Sequence, residues 1–171
     1  MKDEYIRQLF PEVEEIESKE LRNKVVKIWV KAMEMGGWNK IDDIPFTLII
    51  ATDKSLVEHT RMIVKMAMAV ADERKDLDRD AVIAGALLHD VGKLLEYERK
   101  DGKVVKSGMG KRIRHPVSGA ALAMEEGLQD IAHIIAAHSK EGEFVERSKE
   151  AILIHHCDFI DFEIEKAKVK K

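Results

Sequence analysis

The sequence predicts an all-α fold: a compact single-domain helical bundle carrying a small β-hairpin insertion. Three observations lead there. Ala, Glu, Lys, Leu, Ile and Met are abundant, while aromatics make up 5% and prolines number three, a composition that suits helix interiors. Apolar residues recur at helical spacing in segments bounded by capping signals. An Asp-Gly pair at 101–102 sits between short mixed runs, which is a hairpin signal. At 171 residues the chain is long enough for one well-buried core and too short to expect two.

The opening, residues 1–17, is acidic and interrupted by Pro11, with a short helix expected around Glu12–Glu17. Ser18 caps a stronger segment in which Val25, Ile28, Trp29 and Ala32 share a face, and Gly36-Gly37 stops it. Residues 38–45 read as a connection, and the short apolar run 46–51 fits either helix or buried loop. Thr52–Arg74 is expected to be the first long helix, with Ser55 and Glu58 at capping-box spacing. Its stripe is Leu56, Ile63, Val64, Ala67 and Val70, widened by Met62, Met66 and Met68 as core filling. Asp78 or Asp80 caps the next helix, which runs into His89 and Asp90. A projecting hairpin follows, then a basic loop at 107–114. His115-Pro116 opens a helix closed by Gly127, because proline suits a first turn. Leu128–His138 is another helix, with Ile131, Ile134 and Ile135 inward. A turn at 139–142 leads to a last helix or helix pair over 144–166. The expected division is an N-terminal helical segment at 1–51 packing on the core, the core itself at 52–166, and a frayed basic tail at 167–171.

Composition excludes several classes. A net charge of −3 argues against a dedicated nucleic-acid surface. No apolar run approaches the ~20 residues of a membrane span, and no signal-peptide pattern opens the chain. A single cysteine, Cys157, rules out an internal disulfide and fits a reducing cytoplasmic interior. Abundant Lys and Glu with few Asn and Gln resemble proteins from hot environments. Oligomeric state is open, a homo-oligomer included.

The chemistry concentrates where the apolar run 81–88 meets His89 and Asp90. A carboxylate ending such a run is costly unless paired. Imidazole and carboxylate together suit a divalent first-row metal, although for the dipeptide taken alone a helix cap followed by a turn is the favoured reading. His59, on the apolar side of its helix, reads alone as a core residue or a ligand. His133 and His138, five apart, fall on different faces and should not share an ion. His155 and His156 point about 100° apart, so at most one can face a site with Asp158. They read as packing residues or as neighbours of the ligands.

In order along the chain, Glu58-His59-Thr60, Leu87-Leu88-His89-Asp90-Val91-Gly92-Lys93, His115-Pro116-Val117, Ala137-His138-Ser139 and His156-Cys157-Asp158-Phe159-Ile160-Asp161 resemble the HD superfamily of metal-dependent phosphohydrolases. The resemblance covers about residues 52–162. It implies an all-helical domain in which His59, His89, Asp90 and Asp158 converge on one ion. Asp90 would bridge to a second ion completed by His115 and His138. The cofactor implied is one or two divalent ions (Mn, Fe, Ni, Co, Zn or Mg), with water activated for attack on phosphorus. Lys93, at a position where family members often carry lysine, is expected to act with Asp90. Lys93, Lys111, Arg112, Arg114 and Lys140 are placed to meet phosphate oxygens.

The expected activity is therefore hydrolysis of a small phosphorylated substrate, a nucleotide mono- or diester. Two other readings use the same residues. A non-catalytic nucleotide-sensing module would keep the fold, but intact ligand positions argue against it. A di-iron oxygenase would need bound iron and oxygen dependence.

Overall fold

The computed structural model describes residues 1–169, which build eight α-helices and one antiparallel hairpin. Helix α1 (Lys2–Leu9) precedes a 3₁₀ turn at Pro11–Glu15, and α2 spans Lys19–Gly36. The main helices follow as α3 (Leu56–Glu73) and α4 (Arg79–Leu88), then the single turn α5 (Lys93–Glu96). Strands β1 (Tyr97–Lys100) and β2 (Lys103–Lys106) form the hairpin, and α6 (His115–Glu125), α7 (Gln129–Ala137) and α8 (Lys149–Val169) complete the chain. No helix is long and apolar enough to cross a membrane among the described residues.

The capping chemistry acts as its residue types dictate. Ser18 Oγ accepts from Leu21 N, and Gly37, at φ 72°, closes α2 in the left-handed conformation. Ser55 and Glu58 form the reciprocal capping box of α3. Asp78 caps α4 by accepting from Ala81 N, whereas Asp80 accepts from the backbone amides of Glu17 and Ser18. At the hairpin turn Asp101 and Gly102 both have positive φ (50° and 75°), the twist that a two-residue connection requires.

Several expectations need correction. The opening is helical at 2–9, and the helix expected at Glu12–Glu17 is instead the 3₁₀ turn. Helix α3 starts at Leu56, four residues later than expected, because Leu56 N donates to Ile44 O and Phe46 N to Lys54 O. These bonds hold 44–55 as a returning loop. Val70 and Met62 on α3 are exposed, so the buried stripe is narrower than drawn. Helix α5 had no sequence signal, since one turn is too short for periodicity. The last segment is a single helix from Lys149, with Phe144 and Val145 left exposed before it. It continues to Val169, so 167–169 are helical rather than frayed, while 170–171 lie outside the described residues.

One continuous core joins the N-terminal segment to the rest. Ile6, Phe10, Val13 and Ile16 pack in the same buried cluster as Trp29, Leu87, Ile135 and Ile154. Both tryptophans are buried and aim at the dyad segment: Trp29 Nε1 donates to Leu87 O (3.1 Å) and Trp38 Nε1 to Leu94 O (2.7 Å). A Cβ on Gly36 would collide with Leu94 O and the Trp38 ring, so only glycine lets α2 end this close to α5.

Candidate metal centre

Four helices and a turn deliver the polar groups. The capping box fixes the first turn of α3, and His59 follows at once with its ring inside the core. Every residue of α4 from Val82 to Leu88 is buried, so the helix drives straight inward and releases His89 and Asp90 at its deepest point. The turn after it is held by Val91 N→Leu88 O and Lys93 N→Asp90 O. His115 opens α6, His138 ends α7, and Asp158 lies midway along α8. His59, His89, Asp90, His115 and His138 are all buried.

Their ligand atoms converge in two sets. In the first, His59 Nε2 lies 3.1 Å from Asp158 Oδ1 and 3.5 Å from Asp90 Oδ2. His89 Nε2 lies 3.3 Å from Asp90 Oδ2 and 4.0 Å from Asp158 Oδ1. In the second, Asp90 Oδ1 lies 3.1 Å from His115 Nε2 and 3.7 Å from His138 Nε2. Ligands held about 2.1 Å from one ion stand roughly 3–4.2 Å from each other, and both sets have that spacing. Asp90 belongs to both, one oxygen to each.

The hydrogen bonding behind the rings tests whether a cation fits. His89 Nδ1 donates to Ala86 O (2.7 Å) and His138 Nδ1 to Ile135 O (2.6 Å). His59 Nδ1 pairs with Asp161 Oδ2 (2.6 Å) and His115 Nδ1 with Glu96 Oε2 (2.7 Å). In all four rings the outward nitrogen is thus committed, which leaves Nε2 a lone pair aimed inward, the tautomer a metal ligand needs. His59 and His89 then face each other Nε2 to Nε2 at 3.3 Å, and as neutral imidazoles they would present two acceptors to one another. A buried cation satisfies that arrangement, and the residues fit a divalent ion.

The electrostatics point the same way. Burial pushes the Asp90 carboxyl up, but the Lys93 ammonium and the surrounding imidazoles hold it well below the usual carboxylate range. Burial likewise opposes ionisation of Asp158, yet the His59 hydrogen bond and the neighbouring imidazoles bring it to about 2. His59 is raised despite burial, by Asp158 and Asp161, and His115 by Asp90 and Glu96. For His138 burial dominates and the shift is downward. The pocket thus holds ionised acids and strengthens the imidazoles' demand for positive charge.

Beside the metal centre opens a cleft of roughly 610 Å³, within the range of small-molecule sites. Lys93, Arg114 and Lys140 line it; Lys111 and Arg112 do not and are exposed on the preceding loop. Lys93 Nζ donates to Asp90 Oδ2 (2.6 Å) and also to Phe46 O. Burial works against its charge, but Asp90 outweighs it and the ammonium is held above its ordinary value. Arg114 Nη1 donates to Glu141 Oε1 at 2.5 Å. The other histidines stay outside both ligand sets: His133 Nε2 accepts from Ser148 N, and His155 Nδ1 donates to His138 O. His156 is exposed rather than packed.

Sequence reasoning named Asp161 within a motif but gave it no role, and passed over Glu96, Lys54 and Phe46. Asp161 had a signal, being one turn past Asp158 on the same helix face. Lys54 pairs with Asp161 Oδ1 at 2.5 Å, and the Phe46 ring stacks on His59 (centroids 4.6 Å apart). These two lie in an irregular loop, and Glu96 reaches His115 across the whole hairpin, so spacing could not reveal them.

The HD domain model matches residues 56–162. Among curated proteins, the dihydroneopterin 2′,3′-cyclic phosphate phosphodiesterase of Methanocaldococcus jannaschii is 29% identical, over 92% of this chain and 69% of that protein. The 3′-5′ exoribonuclease YhaM of Bacillus subtilis is 30% identical over 62% of this chain, and the match spans 38% of the relative's length. No solved structure gives a significant match. The converging histidines and aspartates form two groups whose spacing could hold a divalent metal ion. The chain belongs to the HD domain family and, with it, to the metal-dependent phosphohydrolases.

Proposed function

We infer that this chain hydrolyses a nucleotide-sized phosphate ester at a two-ion centre, with His59, His89, Asp90 and Asp158 holding one ion and Asp90, His115 and His138 the other. The observation that carries this reading is the division of Asp90 between the two sets: Oδ2 lies 3.3 Å from His89 and Oδ1 lies 3.1 Å from His115. A single ion would leave one pair of imidazoles aimed at an oxygen with nothing between them. A mixed imidazole–carboxylate set suits Mn, Fe, Ni, Co or Zn.

Bound divalent ions supply Lewis acidity and lower the pKa of water at neutral pH. The chain supplies the rest. Asp90 and Asp158 stay ionised and bring the negative charge that retains the cations. Lys93 keeps Asp90 Oδ2 in place and presents its ammonium to the cleft, where phosphate oxygens would meet it. The names of the two relatives, both of which cleave phosphodiesters of nucleotide-like molecules, support a diester substrate ahead of a monoester.

The test is turnover of a panel of cyclic nucleotides, dinucleotides, a pterin cyclic phosphate and nucleoside mono-, di- and triphosphates. Metal-stripped protein would be re-supplied with Mn, Ni, Co, Zn, Mg or Fe, beside an Asp90→Ala control. Metal-dependent hydrolysis absent from the control is expected. No turnover with any metal would sink the reading.

A further inference from the structure

Five lysine and arginine side chains line the cleft alongside Asp90, Glu96, Asp158 and Glu163, and three of the five are paired with acids. Lys93 is occupied by Asp90, Arg114 by Glu141, and Lys106 stands 3.7 Å from Glu96 Oε1. Lys140 and Lys166 also line the cleft, and among the described residues neither has a carboxylate within ion-pair distance. The scissile phosphate already has the metal centre and Lys93. These two further ammoniums are redundant for it.

Helix geometry places the surplus. Asp158, Phe162 and Lys166 are spaced four apart on α8 and share the face that lines the cleft, with Phe159 and Glu163 beside them. At 1.5 Å per residue Lys166 stands roughly 12 Å along the axis from Asp158, and its side chain leans back toward it. Between the two lie Phe159 and Phe162, both half-buried. Phe46 meets Phe162 edge to face (centroids 6.3 Å apart), and the exposed Ile49 closes this end of the wall. From its inner end, one helix face therefore presents a metal ligand, an apolar aromatic platform and a cation. Glu163 adds an acceptor beside the platform for a ring amino group.

Resting on the phosphohydrolase reading above, we propose that the substrate is a doubly anionic nucleotide: its planar base lies on Phe159 and Phe162, and a second phosphate, remote from the scissile one, is held by Lys140 and Lys166. A 5′-phosphorylated dinucleotide has this chemistry. A mononucleotide cyclic phosphate, with one phosphate, fills only the inner half. Base–aromatic stacking tolerates any base, so the subsite selects for the second charge more than for base identity.

The test compares two ligands on the metal-loaded full chain by titration calorimetry. One is a 5′-phosphorylated dinucleotide with an uncleavable methylene-phosphonate link; the other is the same compound without the 5′-phosphate. The phosphorylated ligand is expected to bind about tenfold tighter, the effect of one charge-assisted contact set. The double variant Lys140→Gln/Lys166→Gln should reduce that preference to about twofold or less, while Lys168→Gln, outside the cleft, should retain it. Equal affinities in the unaltered chain, a preference that survives the double variant, or no binding of either ligand would each overturn the proposal. Turnover of a cyclic mononucleotide runs alongside and reports on the phosphohydrolase reading alone. Hydrolysis without the charge preference removes only the second-phosphate subsite, and the preference without hydrolysis removes only the catalytic assignment.

Discussion

Asp161 Oδ2 lies 2.6 Å from His59 Nδ1, and its other oxygen is held by Lys54. An acid one turn beyond a ligand-bearing aspartate thus sets the ring orientation and tautomer of a histidine 102 residues earlier in the chain. Carboxylates behind metal-binding histidines raise ligand basicity, and their loss typically costs 10–100-fold in metal affinity. Asp161→Ala should therefore weaken binding of Mn or Zn about 10–100-fold in a competition titration with a chelator, with the circular dichroism spectrum unchanged. Unaltered affinity would show that His59 is positioned by its helix alone.

Glu96 gives a pH prediction. Burial pushes its carboxyl up, but the hydrogen bonds from His115 Nδ1 and N, with the charge nearby, bring it down to about 2 from an ordinary 4.5. A carboxyl depressed in the folded state stabilises above its unfolded pKa, and that contribution fades as pH falls through the folded value. The stabilisation is thus complete above about pH 4.5 and lost progressively toward pH 2. In metal-free protein, urea midpoints should fall across that window, and Glu96→Gln should flatten this part of the profile. An unchanged acid limb in the variant would assign the loss to other groups.

Gly92 follows the dyad, and a Cβ there would collide with His115 O and come within 2.8 Å of Gly119 N. Backbone atoms cannot yield as a flexible side chain does. Gly92→Ala should cost about 3 kcal/mol or more, read as a lower denaturation midpoint. Because the collision lies between the dyad turn and α6, the variant should also lose whatever binding depends on His115. Near-native stability would mean that α6 can shift without penalty.

Metal should stabilise the fold. A ligand that binds only the folded chain adds about 2.7 kcal/mol at a hundred times its dissociation constant. For a chain of this size that corresponds to a rise of roughly 5–11 °C in Tm. Thermal melts of stripped protein with and without Mn, Zn or Ni should show that rise, and His89→Ala should abolish most of it. Equal melting temperatures would count against a buried ion.

The fold was legible where a residue type has one structural use. Ser18, Gly37, Ser55, Glu58 and the pair Asp101-Gly102 each sit where their backbone or side-chain chemistry is needed, and each signals its element locally. The single turn of α5 and the 44–55 loop gave no such signal. The loop is closed by Leu56 N on Ile44 O and Phe46 N on Lys54 O, and α5 is held by the indole of Trp38, 56 residues before Leu94, pairings that no local residue pattern announces. In the site, an acid at the end of an apolar run drew attention to His89 and Asp90, but the full set of histidines and aspartates was legible only through their order along the chain and its resemblance to the HD superfamily. The residues behind them could not be picked out, because a pairing such as Glu96 with His115 exists only once the hairpin has turned the chain back. The basic loop shows the converse. Lys111, Arg112 and Arg114 look alike in sequence, and only the start of α6 decides that Arg114 alone of the three lines the cleft.

The two indoles bracket the dyad, one on a carbonyl before it and one on a carbonyl after it. The chain thereby carries its own optical probe: both tryptophans are fastened to the segment bearing His89 and Asp90, yet neither touches the ligand atoms. Their emission should register any shift of that segment with no added label. The same attachment makes the first 40 residues a brace rather than an appendage, because a chain cut at the family boundary near residue 56 would leave Leu87 O and Leu94 O without donors on either side of its reactive turn.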